Sequence, residues 1–113
     1  MKFFFLILIM SAFVIISCNN QTTLKTESFK VWGNCEHCQE TIIKACSIDG
    51  ITEKDWNIDS KICKVKFDTT KISLDVIQKL IAKSGYDNVA YVGDSLAYSK
   101  LRDCCQYERK PLN

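Results

Sequence analysis

Cys35 and Cys38 form a Cys-x-x-Cys pair between a short apolar run, residues 29–33, and an amphipathic segment. The run predicts a strand that ends at Gly33, and the amphipathic segment predicts a helix that follows at once. One thiol then lies in a loop and the other in the first helical turn, where the helix dipole and unpaired N–H groups favour thiolate. Two thiolates on a small exposed loop suit a soft ion of low coordination number, Cu(I) above all.

Three other uses of this pair compete with copper. Structural zinc wants four ligands, and the pair assures only two; Zn(II) and Hg(II) stay possible cargoes. A thioredoxin-like redox pair belongs to a longer fold with a cis-proline, and the only proline here is Pro111, far away in the tail. A structural disulfide is the third use, in an oxidising compartment.

Four more cysteines follow the pair. Cys46 lies eight residues beyond Cys38, about 12 Å along a helix, so it is predicted not to join the site. Cys63 alternates with charged residues on a strand, and both thiols are predicted to be buried in the core, or else bonded to each other. Cys104 and Cys105 have three possible roles. If the tail folds back, they supply further thiolates near the metal loop or form a second soft-metal site. Otherwise one of them forms a disulfide with a core cysteine and the other stays a free thiol.

Two polar residues flank the thiols. His37 lies between the two cysteines. Its side chain is either solvated, or it tunes the loop, or it binds the metal as a third ligand. Asn34 carries a neutral amide, whereas a carboxylate there would favour a harder ion such as Zn(II).

The elements that must position the pair follow from apolar periodicity. The first helix is predicted from Glu36 to Cys46, with an apolar stripe that faces a sheet. Residues 51–58 and 62–67 predict a hairpin whose second strand is half-buried.

A second helix is predicted to be N-capped by Thr69-Thr70 and to end at Gly85. Its buried side consists of apolar residues. These residues are Ile72, Val76, Ile77, Leu80 and Ile81. Residues 89–92 predict a last strand. The order β-α-β-β-α-β across residues 28–92 is an α+β, ferredoxin-like arrangement.

This order, with Cys-x-x-Cys between the first strand and first helix, resembles the heavy-metal-associated domain family. That family includes copper chaperones, N-terminal domains of copper- and zinc-exporting ATPases and periplasmic mercury-binding proteins. Its pattern is Gly-Met-x-Cys-x-x-Cys; here Gly33-Asn34-Cys35 is one residue shorter and lacks the methionine that packs under the loop. The resemblance implies Cys35 and Cys38 as metal ligands. It also implies that Tyr86 lies beside the ion, the alternative being an aromatic at the edge of the core.

The residues before the domain predict export. Residues 1–17 carry one basic residue and an apolar core of about 14 residues, as in a signal peptide. The junction Ser17-Cys18 resembles the lipobox of bacterial lipoproteins, in which cleavage before the cysteine leaves it lipid-modified; cleavage nearby and an uncleaved anchor are the alternatives. Residues 18–27 are then a tether to a membrane.

The residues after the domain, 93–113, form an extension. Asp94 is predicted to cap a short helix with Ala97, Leu101, Cys104 and Cys105 on one face, and residues 109–113 to be a frayed end.

The charge balance, 15 Lys+Arg against 13 Asp+Glu, lacks the basic stripe of a nucleic-acid binder. Paired carboxylates, a nucleophile–base set and a phosphate loop are also missing from the sequence, so we expect no enzyme. We expect an envelope lipoprotein that captures, buffers or hands over Cu(I) to a metal-transporting ATPase, efflux component or other acceptor. A thiol–disulfide protein and a mercury scavenger are the alternatives.

Overall fold

The computed structural model describes residues 23–112, so the predicted signal peptide and Cys18 lie outside the described residues. The order of elements is β1 (Leu24–Lys30), α1 (Glu36–Ala45), β2 (Ile51–Trp56), β3 (Ile62–Asp68), α2 (Leu74–Lys83), α3 (Ser95–Ser99) and a 3₁₀ turn (Asp103–Cys105). This confirms the α+β class. None of the helices described is long and apolar enough to span a bilayer.

The sheet is antiparallel, with strand order β1-β3-β2. The predicted alternation in β3 is confirmed, because Cys63, Val65 and Phe67 are all buried. β1 starts at Leu24, which pairs with Asp68, so residues 24–27 belong to the sheet although we expected them in the tether.

The predicted last strand at residues 89–92 was wrong. In its place a single bridge joins Val31 to Asn88. The Asn88 side-chain oxygen accepts the N–H groups of Ala90 and Tyr91 at 3.0 and 3.1 Å, which turns the chain away from β1. This local side-chain hydrogen bonding outcompetes the strand propensity of the apolar residues.

The two main helices cover one face of the sheet. α1 buries Cys38 and Ile42 as predicted. The N-cap of α2 is Ser73, whose hydroxyl accepts the Val76 N–H at 3.3 Å, and not Thr69-Thr70. Thr70 instead donates its N–H and hydroxyl to Asp68.

The buried side of α2 is centred on Ile77 and Ile81, whereas Val76 is 43% exposed and was wrongly placed there. Gly85 ends the helix region at φ +104°, as predicted, and only glycine adopts this conformation readily.

The chain after α3 folds back over the domain, and we call residues 100–110 the strap. Asp94 caps α3 as predicted, accepting the Ala97 N–H at 2.8 Å. The helix stops at Ser99, so the prediction that Cys104 and Cys105 continue its face was wrong. The Gln106 side-chain amide donates to carbonyls at the end of α3, which allows the chain to reverse there.

The strap is fastened by the buried Asp87 carboxylate. Arg109 donates two hydrogen bonds to it, at 2.8 and 2.7 Å, and the Lys110 N–H donates a third at 3.0 Å. The Tyr107 hydroxyl accepts the Asp87 N–H at 2.8 Å and donates to the Gly85 carbonyl at 2.7 Å. Residues 109 and 110 are therefore ordered parts of the fold, and the prediction that the frayed end starts at residue 109 was wrong.

These contacts make stability sensitive to acid. Burial opposes ionisation of Asp87, but the hydrogen bonds from Arg109 and from the Gly93 and Lys110 N–H groups outweigh it and lower its pKa. A carboxyl with a lowered folded pKa stabilises the fold above its unfolded pKa, about 3.9, and loses this contribution as the pH falls further.

We predict that Asp87→Asn lowers the free energy of unfolding at pH 7 by about 3 kcal/mol, because the Arg109 charge loses its buried partner. Between pH 5 and 2 the variant should also lose less stability than the original chain. Urea unfolding across this pH range measures both effects, with Asp59→Asn in the exposed β2–β3 turn as the matched control. Parallel pH profiles for the Asp87 variant and the original chain would contradict the prediction.

Candidate metal site

The loop that holds the thiols passes over Trp56. A Cβ atom on Gly33 would lie 2.9 Å from two Trp56 ring carbons and 3.3 Å from Cys38 Cβ, so the close approach requires glycine. The Trp56 indole N–H donates to the Val31 carbonyl at 3.0 Å, which fixes the ring. Trp56 therefore packs under a loop that lacks the methionine of the family pattern.

Three thiols converge at the start of α1. Cys35 is the N-cap of this helix and is half-buried, while Cys38 lies in its first turn and is fully buried. Their Sγ atoms are 3.5 Å apart, and Cys105 Sγ of the strap lies 3.3 Å from Cys35 Sγ. All three sulfurs lie within 4.8 Å of one another. The structure thus adds Cys105 to the predicted pair, and we call these residues the thiol cluster.

The environment of the thiol cluster favours ionisation of Cys35. Burial opposes its thiolate, but the N–H groups of Cys38 and His37 and the neighbouring thiols outweigh it and lower the pKa of Cys35. Burial, followed by the Cys35 thiol, raises the pKa of Cys105. The Cys38 thiol donates to Asn34 Oδ1 at 3.1 Å. The lowered pKa favours the Cys35 thiolate, the form in which a cysteine acts as a nucleophile and binds metal.

Tyr86 is fully buried behind the thiol cluster. Its ring stacks on Tyr107, with centroids 5.2 Å apart and planes 14° from parallel. Its hydroxyl is the one buried side-chain N or O atom without a hydrogen-bond partner in the described part of the chain. Burial raises the pKa of Tyr86, and the Cys38 and Cys105 thiols add to the effect. Tyr86 is thus both a core aromatic and a neighbour of the sulfurs.

The structure leaves four other sequence candidates outside the thiol cluster. His37 is about half-exposed, and its Nδ1 lies 3.8 Å from a Glu40 carboxylate oxygen. Cys104 is exposed, with its Sγ 3.9 Å from Cys105 Sγ. Cys46 and Cys63 are buried free thiols, which confirms the prediction for them; the Cys46 thiol and burial raise the pKa of Cys63.

Several residues that build the site were missed by the sequence analysis. Trp56 supports the loop, and Asp87, Tyr107 and Arg109 fix the strap that carries Cys105. A signal was available in the tail, where an aromatic and an arginine follow the cysteine pair within four residues. Such residues are unusual in a frayed end.

Comparisons with known proteins agree with this fold. No protein-family model matches the chain. The copper chaperone CopZ of Staphylococcus saprophyticus is 30% identical over 66 residues, which are 57% of this chain and 97% of the relative.

Two solved structures are similar as well. A CopZ metallochaperone is 31% identical, with a TM-score of 0.55, over 57% of this chain and all of that one. Oxidized MerP from Ralstonia metallidurans CH34 is 28% identical, with a TM-score of 0.54, over 57% and 93%.

The sheet, the two helices and the cysteine pair at the start of α1 define a small ferredoxin-like fold of the kind found in metallochaperones. The chain belongs to the heavy-metal-associated domain family, and the copper chaperone CopZ is one of its relatives.

The unpartnered Tyr86 hydroxyl leads to a prediction for the reduced, metal-free protein. Tyr86→Phe removes a buried polar atom that makes no hydrogen bond, so the free energy of unfolding should stay unchanged or rise by about 1 kcal/mol. Tyr107→Phe is the matched control, since it deletes the same atom from the stacked neighbour but breaks two hydrogen bonds and should cost about 1–3 kcal/mol. Urea unfolding measures both variants. Equal losses in the two would show that the Tyr86 hydroxyl has a partner.

Proposed function

We propose that this chain binds Cu(I) through Cys35 and Cys38 and captures, buffers or hands over the ion without catalysing a reaction. The observation that carries the proposal is the placement of the two sulfurs 3.5 Å apart at the N-terminus of α1. Soft thiolates select Cu(I) over harder ions. The positive end of the helix dipole stabilises the negative charge of a copper–thiolate site.

Transfer by ligand exchange suits this arrangement. The half-buried Cys35 lies at the solvent side of the pair, whereas Cys38 is fully buried. A thiolate of an acceptor protein would bind the ion first and then displace the sulfurs of this chain in turn. The ion would thus pass to a metal-transporting ATPase, an efflux component or another acceptor without being released into water.

Mercury is the second candidate cargo, because the heavy-metal-associated domain family includes mercury-binding proteins. The solved MerP structure is 28% identical to this chain. Hg(II) would use the same two thiolates, and it shares with Cu(I) the preference for soft sulfur ligands.

The copper proposal predicts one tightly bound Cu(I) per chain that is lost in the Cys35→Ser/Cys38→Ser double variant. The measurement is an anaerobic titration of reduced residues 19–113, which contain every described element, against a chromophoric Cu(I) chelator. Cys104→Ser, at an exposed thiol, is the matched control and should leave this binding intact.

Two results would contradict the copper prediction. Binding that survives in the double variant would place the site elsewhere. A protein that does not compete for Cu(I) but turns over a disulfide substrate, with a reduction potential in the range of oxidoreductases, would support the thiol–disulfide alternative.

We also propose that the protein acts in the bacterial envelope, anchored by a lipid on Cys18. Support comes from the sequence of residues 1–18, with its apolar core and lipobox-like junction. β1 begins at Leu24, so about five residues would separate the lipidated cysteine from the sheet. An anchor this short would hold the domain close to the membrane surface.

Expression in a bacterium fed an alkyne-labelled fatty acid tests the anchor. The original chain should take up the label, fractionate with membranes and lose residues 1–17, while Cys18→Ala should remain unlabelled. A labelled Cys18→Ala protein, or an unlabelled original chain, would contradict lipidation at this residue.

A further inference from the structure

We infer that Cys105 is a third metal ligand, so that the chain binds its ion in a three-coordinate thiolate site closed by the strap. The inference rests on the proposed function and adds to it a coordination number and the means of retaining the ion. Each ligating thiol gives its proton to solvent when the ion binds, and no electron is transferred.

The sulfur separations favour three ligands over two. An ion bound to three sulfurs at about 2.3 Å, the bond length of zinc thiolates, sets them about 4 Å apart, whereas a linear ion needs about 4.6 Å. Cys35 Sγ lies 3.5 Å from Cys38 Sγ and 3.3 Å from Cys105 Sγ. Both separations are closer to the trigonal value.

The buried Tyr86 hydroxyl is a second and independent observation. It is fully enclosed and has no hydrogen-bond partner among the described residues, and Tyr86 belongs to the same buried core cluster as Cys38 and Cys105. A neutral thiol is a weak acceptor, but a metal-bound thiolate carries negative charge and accepts a stronger hydrogen bond. Binding of an ion by these sulfurs would therefore supply the partner that the hydroxyl lacks.

The strap holds Cys105 in place. After Cys105, the Gln106 side-chain amide donates a hydrogen bond to a carbonyl at the end of α3. Further along the strap, Tyr107 and Arg109 donate hydrogen bonds to residues 85 and 87. Cys105 itself is only 3% exposed. A ligand that is fixed before the ion arrives loses little entropy on binding.

Among the cysteines that the structure describes, three and not four lie close enough together to share an ion. Cys104 is exposed and lies outside the group of mutually close sulfurs, although its neighbour Cys105 belongs to it. A structural zinc site closes with four ligands, so this set fits a soft three-coordinate ion better.

A match to the copper chaperone that covers Cys35 is too short to cover the third ligand as well. Cys35 and Cys105 are 70 positions apart, more than the 66 residues over which that relative aligns. A match that includes the Cys35–Cys38 loop therefore stops before Cys105.

A third thiolate changes how the ion leaves. In a two-coordinate site an acceptor thiol enters the open position, but here Cys105 occupies it. A cleft of about 210 Å³ lies beside the buried Cys105 and is lined by His37, Lys100 and Arg102 among others. We therefore expect the ion to leave more slowly than from a site with two thiolates.

The test is copper X-ray absorption on reduced residues 19–113 loaded anaerobically with one Cu(I). The original chain should show three sulfurs around copper, and Cys104→Ser, the matched control, should show the same. Cys105→Ser and Cys104→Ser/Cys105→Ser should show two sulfurs at a shorter distance. In chelator competition these two variants should bind at least about tenfold more weakly and pass Cu(I) to the chelator faster.

The outcomes separate this inference from the proposed function. Two sulfurs in the original chain, with unchanged affinity in Cys105→Ser, would overturn the third ligand and leave copper binding by Cys35 and Cys38 intact. More than one copper per chain with copper–copper scattering would also overturn it, in favour of a cluster. Failure of the original chain and of every variant to bind Cu(I) would overturn both proposals. Circular dichroism of Cys105→Ser is the control that distinguishes a lost sulfur ligand from a lost fold.

Discussion

The Asp87 carboxylate is buried, and it accepts hydrogen bonds from two Arg109 nitrogens and from the Gly93 and Lys110 N–H groups. A buried carboxylate without such partners would cost several kcal/mol, so the chain around it has little freedom to rearrange. The carboxylate joins the loop after α2 to the end of the strap. The position of Cys105, four residues before Arg109, is therefore set by an interaction outside the thiol cluster.

The same packing decides the polarity of the site. The strap lays Tyr107 against Tyr86 and excludes water from the inner side of the sulfurs, while the N-terminus of α1 faces them from the outer side. Low polarity on one side and aligned N–H groups on the other strengthen any charge–dipole interaction between them. Such a site gains more from a soft, weakly hydrated ion than from one that must keep water ligands.

The sequence predicted what depends on local patterns. The Cys-x-x-Cys loop, α1, the β2–β3 hairpin and the glycine after α2 all follow from periodicity and turn chemistry, which act over a few residues. The prediction failed where side chains overrode propensity: Asn88 turned an expected strand, and Gln106 ended an expected helix. The convergence of Cys105 with Cys35 depends on contacts across 70 positions, which no local pattern encodes. The ordered end of the strap could not be predicted either, because Asp87, which binds Arg109, lies 22 positions earlier in the sequence.

Cys105 follows Cys35 by 70 positions in the sequence, so the ribosome synthesises it later than the other two cysteines of the cluster. Chains are synthesised from the N-terminus at about 5–20 residues per second, so Cys105 would emerge about 4–14 s after Cys35. Over that interval the growing domain holds two of the three thiols of the thiol cluster, and the strap that covers them does not yet exist. The nascent protein thus passes through a stage in which an oxidant or an ion meets Cys35 and Cys38 without Cys105.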